Sequence, residues 1–460
     1  MESHPPPPDV GSHGVSFGAA VWVWCRVAML SFGGPAGQIA VMHRILVDEK
    51  RWVSENRFLH ALNYCMLLPG PEAQQLAVYI GWLLHRTLGG LIAGTLFVLP
   101  GFISILALSI LYATYNEATL VVGFFYGLKP AVVAVVVEAV ARIGKRALKN
   151  RVMVLIAALA FVAIFFLEVP FPLIILAAAA IGYVGGKLWP ETFVVTKGHA
   201  AKVGAEDRTA ISDDHVQTVQ PSLGRSAKVL LVWLLIWLGP VAALYKFAGP
   251  TSIHTQEALF FSKAAMVTFG GAYSVLAYVA DECVETYHWL EPSEMLDGLG
   301  MAETTPGPLI QVVQFVGFMG AYRNSGSLSP LMAGIAGSIV TTWVTYAPCF
   351  MWIFSGAPYI EYLRGRAALN AALSAVTAAV VGVILNLSIW FALHTIFGTV
   401  HDQHVYGIRL LVPDWSTIDV VSLFIACVAM VAMFRYKVGM IPTLIAAAVI
   451  GVAYQIVNGA

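Results

Sequence analysis

Crossing about 30 Å of hydrocarbon takes roughly 20 apolar residues in a helix. Stretches of that kind recur along this chain, at Leu88–Tyr112, Leu120–Ala141, Val152–Leu167, Phe171–Leu188, Val229–Phe247, Pro330–Phe354, Ala368–Leu393, Val420–Phe434 and Val438–Val457. A chain with so many of them must satisfy its backbone within each segment, because lipid offers no hydrogen bonds. Composition agrees, with 58% hydrophobic and 11% charged residues, where a soluble domain carries about 25% charged. The expected fold class is an all-α polytopic membrane bundle in the inner or plasma membrane, with the lipid bilayer as its first partner.

Several function classes drop out. The 26 basic and 26 acidic residues balance, so a nucleic-acid partner has no electrostatic support. Cys25, Cys65, Cys283, Cys349 and Cys427 form no CxxC pair, which argues against a zinc site or disulfide framework. No Walker motif, nucleotide fingerprint or nucleophile–base constellation is present, so neither a cofactor nor an enzyme activity is expected. His401 and His404 are spaced like a metal pair but sit in what reads as an exposed loop without further ligands, and no metal site is expected. Residues 1–14 are polar and proline-rich without a basic n-region, and read as a disordered tail.

The chain is duplicated. Phe32-Gly33-Gly34 recurs as Phe269-Gly270-Gly271, Trp52 as Trp289, and Pro69-Gly70-Pro71 as Pro306-Gly307-Pro308, all at one spacing (269 − 32 = 289 − 52 = 306 − 69 = 237). Chance does not hold one ungapped offset through three motifs. An insertion around Tyr322–Ser329 then shifts the register. The division expected is a first repeat over 15–189, a polar cytoplasmic linker over 190–226, and a second repeat over 227–460 with its motif core at 258–394.

Charge predicts how the repeats are oriented. Arg44, Lys50, Arg51 and Arg57 occupy the loop between the first pair of motifs, whereas Asp281, Glu282, Glu285, Glu291 and Glu294 occupy the second. The basic run Arg142, Lys145, Arg146, Lys149 and Arg151 has no basic counterpart near Asn386–Trp390. Arg364 and Arg366 lie where the first half has Glu117. Since positive residues stay inside, the repeats are expected to be inverted. Placing all basic loops inside makes the motif segments broken, re-entrant half-helices, with about nine full crossings; simple kinks in spanning helices are the alternative.

Breaks of this type expose backbone groups at mid-membrane depth, which is tolerated only against protein or a polar cavity. Helix N-termini at such a cavity attract anions. Arg26 and Lys263 are equivalent (263 − 26 = 237), six residues before each Phe-Gly-Gly. They are expected to neutralise a bound dianion; the plainer reading is that each snorkels or pairs with a carboxylate. Glu72 and Glu303 flank the Pro-Gly-Pro motifs at non-equivalent positions (72 + 237 is Leu309, 303 − 237 is Met66). Either is a proton-coupling candidate, or a helix cap or ion-pair partner. Gln74, Gln75, Gln311, Gln314, Thr304, Thr305 and Asn63 are candidate donors to an oxyanion, or glue between helices.

The motifs resemble the chromate ion transporter family in its long-chain form. The resemblance rests on Phe32-Gly33-Gly34-Pro35 with Gln38, on Trp52, and on LLPGPEAQQLAVYIGW (Leu67–Trp82). It rests equally on FGGAYSVLAYVADE and GLGMAETTPGPLIQVVQFVGF (Gly298–Phe318), and extends from Phe17 to about Trp390. It implies proton-driven export of chromate from the cytoplasm by an antiporter, with sulfate as a related substrate. It implies motif roles for Gly33, Gly34, Gln38, Gly70, Glu72, Gln75, Gly270, Gly271, Glu303, Thr304, Thr305 and Gly307. An anion channel and a non-transporting sensor or scaffold built on the 190–226 linker are the rival readings, and a homodimer is left open.

Overall fold

The computed structural model describes residues 14–32, 34–66, 68–115, 118–193, 222–269, 271–359 and 367–458. Gly33, Gly270, Glu117, Arg364, Arg366, nearly all of the 1–14 tail and most of the 190–226 linker lie outside the described residues.

The first half runs α1 (Phe17–Leu30), α2 (Gly34–His43), α3 (Glu55–Cys65), α4 (Glu72–Tyr115), α5 (Thr119–Ala147), α6 (Arg151–Phe165) and α7 (Phe171–Leu188). The helix α8 (Leu223–Phe247) follows and has no counterpart upstream. The second half runs α9 (Ile253–Val267), α10 (Ala272–Asp281), α11 (Pro292–Thr304), α12 (Val312–Arg323), α13 (Pro330–Gly356) and α14 (Ala367–Ile396). A hairpin of β1 (Val400–Val405) and β2 (Ile408–Pro413) precedes α15 (Val420–Phe434) and α16 (Met440–Asn458). This is an all-α, multi-pass membrane bundle. Among the described residues, six helices are long and apolar enough to cross a bilayer: α4, α5, α7, α8, α14 and α16. Helix α4 is interrupted at His85 and Arg86, which leave helical geometry.

Corresponding elements keep three successive spacings. Up to the second motif the spacing is 237, and fine detail obeys it. The chain tightens into π-turns at Arg44–Glu49 and Glu282–Thr286, followed by left-handed Arg51 (φ 51°) and His288 (φ 52°). Trp52 N–H then donates to Leu46 O, and Trp289 N–H to Cys283 O, both at 2.8 Å. Pro100 and Pro348, and the starts of α5 and α14, are 248 apart (348 − 100 = 367 − 119 = 248). The starts of α6 and α15, and of α7 and α16, are 269 apart (420 − 151 = 440 − 171 = 269).

Packing between halves is reciprocal. Helix α5 lies along α16, and its equivalent α14 lies along α7, the equivalent of α16. Small residues allow the approach: a Cβ at Gly127 would sit 2.0 Å from Ala447 O, and one at Gly182 2.6 Å from Ala371 O. A separate apolar core gathers α1–α4 with Phe350, Ile353, Phe354 and Ala357 at the end of α13.

The segment around His401 and His404, expected as a loop, is instead strand β1, paired antiparallel with β2 across a Tyr406-Gly407 turn with both φ positive. On a strand, residues three apart point to opposite faces, so the two imidazoles do not share one. The hairpin clasps the α6–α7 connection: Arg409 N–H donates to Phe166 O at 2.9 Å, and His404 lies 3.0 Å from Glu168.

Candidate functional site

Each half contains two breaks. The first separates α1 from α2, or α9 from α10, at Phe-Gly-Gly. The second separates α3 from α4, or α11 from α12, at Pro-Gly-Pro. The glycines that turn the chain there, Gly34 (φ 67°), Gly271 (φ 103°), Gly70 (φ 120°) and Gly307 (φ 110°), hold conformations that L side chains rarely adopt. In lipid the freed backbone groups need partners, and the opposite half supplies them. Gly70 N–H donates to Thr268 O, and Gly307 N–H donates to Ser31 O, each at 2.8 Å. Gly70/Gly307 and Ser31/Thr268 are equivalent pairs at the 237 spacing, so the two bonds are one contact made twice, as a two-fold relation requires. The hydroxyls of Ser31 and Thr268 repeat the pattern by donating to Val27 O and Ala264 O. All four breaks therefore meet in one place, at the junction of the halves.

Two carboxylates face this junction. The sequence makes Glu72 and Glu303 non-equivalent, yet they take matching places. A Cβ at Gly271 would lie 3.6 Å from a Glu72 carboxylate oxygen. A Cβ at the equivalent Gly34 would lie 4.0 Å from the Tyr273 hydroxyl, which donates to Glu303. Each Phe-Gly-Gly break thus has one acid beside it, directly or through a tyrosine. Glu303 is 1% exposed and its second oxygen has no hydrogen-bond partner.

The amides are divided between binding the frame and standing free. Gln38 Nε2 donates to Gly307 O at 2.6 Å, across the halves. Gln75 Nε2 donates to Pro69 O at 2.8 Å. Gln311 Nε2 bonds Gln314 Oε1 and reaches Thr342 Oγ1, while Gln314 Nε2 donates to Phe102 O. Thr304 and Thr305 donate to the last carbonyls of their own helix, so their hydroxyl protons are already used. By contrast, both polar atoms of Gln74 and the hydroxyl of Tyr346 are buried without a partner. Gln74 lies in the first turn after the Gly70 break. Buried orphan donors are rare and costly, and the Gln74 amide is one beside the Gly70 break.

The cations are arranged differently from the equivalent pair read from the sequence. Arg26 is exposed and bonds Glu49 at 2.6 Å. Lys263 is exposed and sits 5.5 Å over the ring of Tyr278, near Tyr287. Their contacts are thus with Glu49 and these rings, outside the four break segments. The charged pair that acts on both Tyr273 and Glu303 is Arg142 with Glu138, 3.5 Å apart and half-buried, their charges opposing each other there. In the sequence Arg142 falls in the basic run 142–151, where its charge points only to topology.

A second cross-half contact also escaped the sequence reading. Lys129 of α5 lies 3.3 Å from Asp297 of α11, and Tyr112 donates to the same carboxylate at 2.9 Å. Asp297 is 2% exposed. A lone lysine inside the apolar stretch 120–141 was the available signal, since a charge at membrane depth calls for a partner. Beside it, Arg323 holds Glu294 through two bonds of 2.6 and 2.7 Å.

Known proteins are similar along most of this chain. The chromate transporter family model matches residues 18–183 and 255–452. The chain is 26% identical over 466 residues to a chromate transport protein of Cupriavidus metallidurans, covering 99% of both. It is 32% identical over 365 residues to a chromate transport protein of Pseudomonas aeruginosa, covering 78% of this chain and 77% of that one. A probable chromate transport protein of Synechococcus elongatus is 25% identical over 407 residues, covering 85% and 88%. No solved structure matches. With both motif regions inside the matched residues, the chain belongs to the chromate transporter family.

Proposed function

We propose that this protein is a secondary transporter that moves chromate, a sulfate-like dianion, out of the cytoplasm through the inner or plasma membrane in exchange for protons. The observation that carries this reading is the meeting of four helix breaks at the junction of the halves, with unpartnered donors among them. Tetrahedral oxyanions are held by helix N-termini and neutral donors, because these supply partial positive charge without requiring a counter-ion to be buried. Here α2, α4, α10 and the segment after Gly307 would present such ends, at Gly33-Gly34, Gly70, Gly270-Gly271 and Gly307. Gln74, in the first turn after the Gly70 break, is free to donate, and Gln38 and Gln75 hold the breaks in place.

Overall charge balance comes from Arg142, with Arg26 and Lys263 able to join in another state of the cycle if their present contacts open. Glu303 and Glu72 are the acids nearest the anion and the candidates for coupling to protons: a carboxylate beside the dianion is repelled by it unless protonated.

The repeats over 15–189 and 227–460 are inverted in this reading. Counting the α1–α2 and α3–α4 breaks as hairpins that return to their own side, α4 beyond Arg86, α5, α6 and α7 make four crossings. Helix α8 adds a fifth, so the second half begins on the opposite side. Alternating access then follows from rocking the halves about the Gly70–Thr268 and Gly307–Ser31 bonds.

Flux of labelled chromate into proteoliposomes, with and without an imposed pH gradient and with excess sulfate, tests the proposal. Uphill movement on the gradient, inhibited by sulfate, is expected. Downhill movement alone would make the protein an anion channel, and no movement by folded protein would remove chromate as the substrate.

A further inference from the structure

Helix α9 buries a carboxylate that the break junction does not use. Glu257 is 0% exposed, and neither of its oxygens has a hydrogen-bond partner. It is fitted between α12 and α13 by two glycines: a Cβ at Gly320 would lie 3.3 Å from one oxygen, and a Cβ at Gly337 3.0 Å from the other. The Ala321 backbone amide of α12 acts on the carboxylate without reaching hydrogen-bond geometry with either oxygen. In the first half the equivalent residue is Ala20 (257 − 237 = 20), buried in the same way. An alanine therefore suffices for packing at this position, and the acid is an addition that costs stability.

The charged and titratable surroundings are sparse. Among the described residues, the Cys283 thiol faces Glu257 from the π-turn Glu282–Thr286. Arg323, on α12, is held by Glu294, and α13 presents no charged group to Glu257. On its own helix, His254 bonds Ala333 O, and Lys263 is exposed over Tyr278. A carboxyl group so buried, with no cation beside it and only the Ala321 backbone amide acting on it, is stabilised as the neutral acid.

Glu257 is remote from the breaks but mechanically connected to them. From Gly320 to Gln311 along α12 is nine residues (320 − 311 = 9), about 14 Å at 1.5 Å per residue. The seam between α12 and α13 is built for close sliding contact: a Cβ at Gly317 would lie 2.1 Å from Thr341 Oγ1, and one at Gly337 2.4 Å from Gly317 O. Farther along the seam, Ser338 reaches Gln314 O, and Gln314 bonds Gln311 just after the Gly307 break. At its other end α9 runs into Thr268, whose carbonyl receives the Gly70 amide.

We propose that Glu257 is a proton-binding site of the transport cycle, separate from the anion junction and linked to it through the α12–α13 seam. When protonated it is compatible with the closed seam described above. When the halves rearrange around the anion, the seam opens, water reaches Glu257, and its proton leaves to solvent. This deepens the exchange reading above and rests on it for the link to the anion, but not for the proton site itself.

Infrared difference spectra of the full chain in liposomes test it in two steps. Between acidic and alkaline buffer, the wild type should lose a protonated-carboxyl C=O band that Glu257→Gln lacks, Glu257→Asp shifts and Glu303→Gln keeps. A band that survives Glu257→Gln, or is unmoved in Glu257→Asp should the glutamine variant not fold, overturns the proton site. Added chromate should then diminish the same band in the wild type. If chromate is transported yet leaves the band unchanged, the link to the anion is overturned. If chromate is not transported at all, the transport reading fails while the buffer experiment still decides the proton site.

Discussion

At positions equivalent by the 237 spacing, the first half has Ala20, His60 and Glu72 where the second half has Glu257, Asp297 and Leu309. At the breaks the positive-φ glycines and the cross-half amide bonds are duplicated. Side-chain electrostatics is not. The backbone at each break must be satisfied by the other half, which constrains both copies equally. Under the proposed exchange, the charges would answer to a single anion and its protons, which one set of groups can serve. A duplicated protein thus keeps its frame symmetric and places its charges where one half suffices.

The largest effect should come from separating a charge that the halves share. Lys129→Met leaves Asp297 buried with only the Tyr112 hydroxyl, at a cost of about 3 kcal/mol. Thermal unfolding in detergent should show a clear loss, largely recovered in Lys129→Met/Asp297→Leu. If the double variant is no better than the single one, the pair is not what joins α5 to α11.

Next come the glycines that the symmetry makes equal. Either replacement by alanine strains the backbone by about 1–3 kcal/mol. At Gly307 the new Cβ would also meet the Gly101 backbone at 3.0 Å, whereas at Gly70 it meets the ends of the Cys349 and Gln75 side chains. Gly307→Ala should therefore reduce folded yield more than Gly70→Ala, and the reverse order would break the account of the asymmetry.

A smaller, purely functional contrast separates the cations. Arg142→Gln should lower chromate flux about tenfold, equal to ~1.4 kcal/mol, by raising the half-saturating concentration. Arg26→Gln and Lys263→Gln should change it little, given their contacts with Glu49 and Tyr278. Abolished flux in both of the latter would restore the equivalent pair as the anion's counter-charge.

The smallest effect is at two equivalent helix caps. Asn150 caps α6 through Met153 N, and Asp419 caps α15 through the amides of Val421 and Ser422 while accepting from Tyr126 (419 − 150 = 269). Partial burial would push the Asp419 carboxyl up, but the Ser422 amide and hydroxyl, Tyr126 and Val421 together hold it below its usual range. A depressed folded-state value stabilises above the unfolded value, so this contribution is present at neutral pH and fades below about pH 4. Alanine at either cap should cost about 1 kcal/mol; only the Asp419→Ala loss should vanish in acid.

The breaks were legible because glycine and proline announce them wherever they fall, and a single offset tied the copies together. The membrane bundle was legible because lipid forbids alternatives to self-satisfied helices. What was hidden depended on distance in sequence. Arg26 and Lys263 look like a pair because the offset links them, but the structure pairs Arg26 with Glu49, in the π-turn that follows α2. Lys129 and Asp297 are 168 residues apart (297 − 129 = 168) and share no motif, so only the structure joins them. The hairpin at 400–413 was masked by its polar residues, since alternation facing water on both sides resembles a loop.

The reciprocal amide bonds also bear on how the chain is made. Gly70 must find Thr268, and Ser31 must find Gly307, so these open positions in the first half wait for partners 198 and 276 residues downstream (268 − 70 = 198, 307 − 31 = 276). At about 5–20 residues per second on the ribosome, the early half spends roughly ten seconds or more in the membrane with these backbone groups unmatched. During that interval it depends on the insertion machinery, or on water drawn into the unfinished junction, and premature release at the 190–226 linker would strand a half that cannot close on itself.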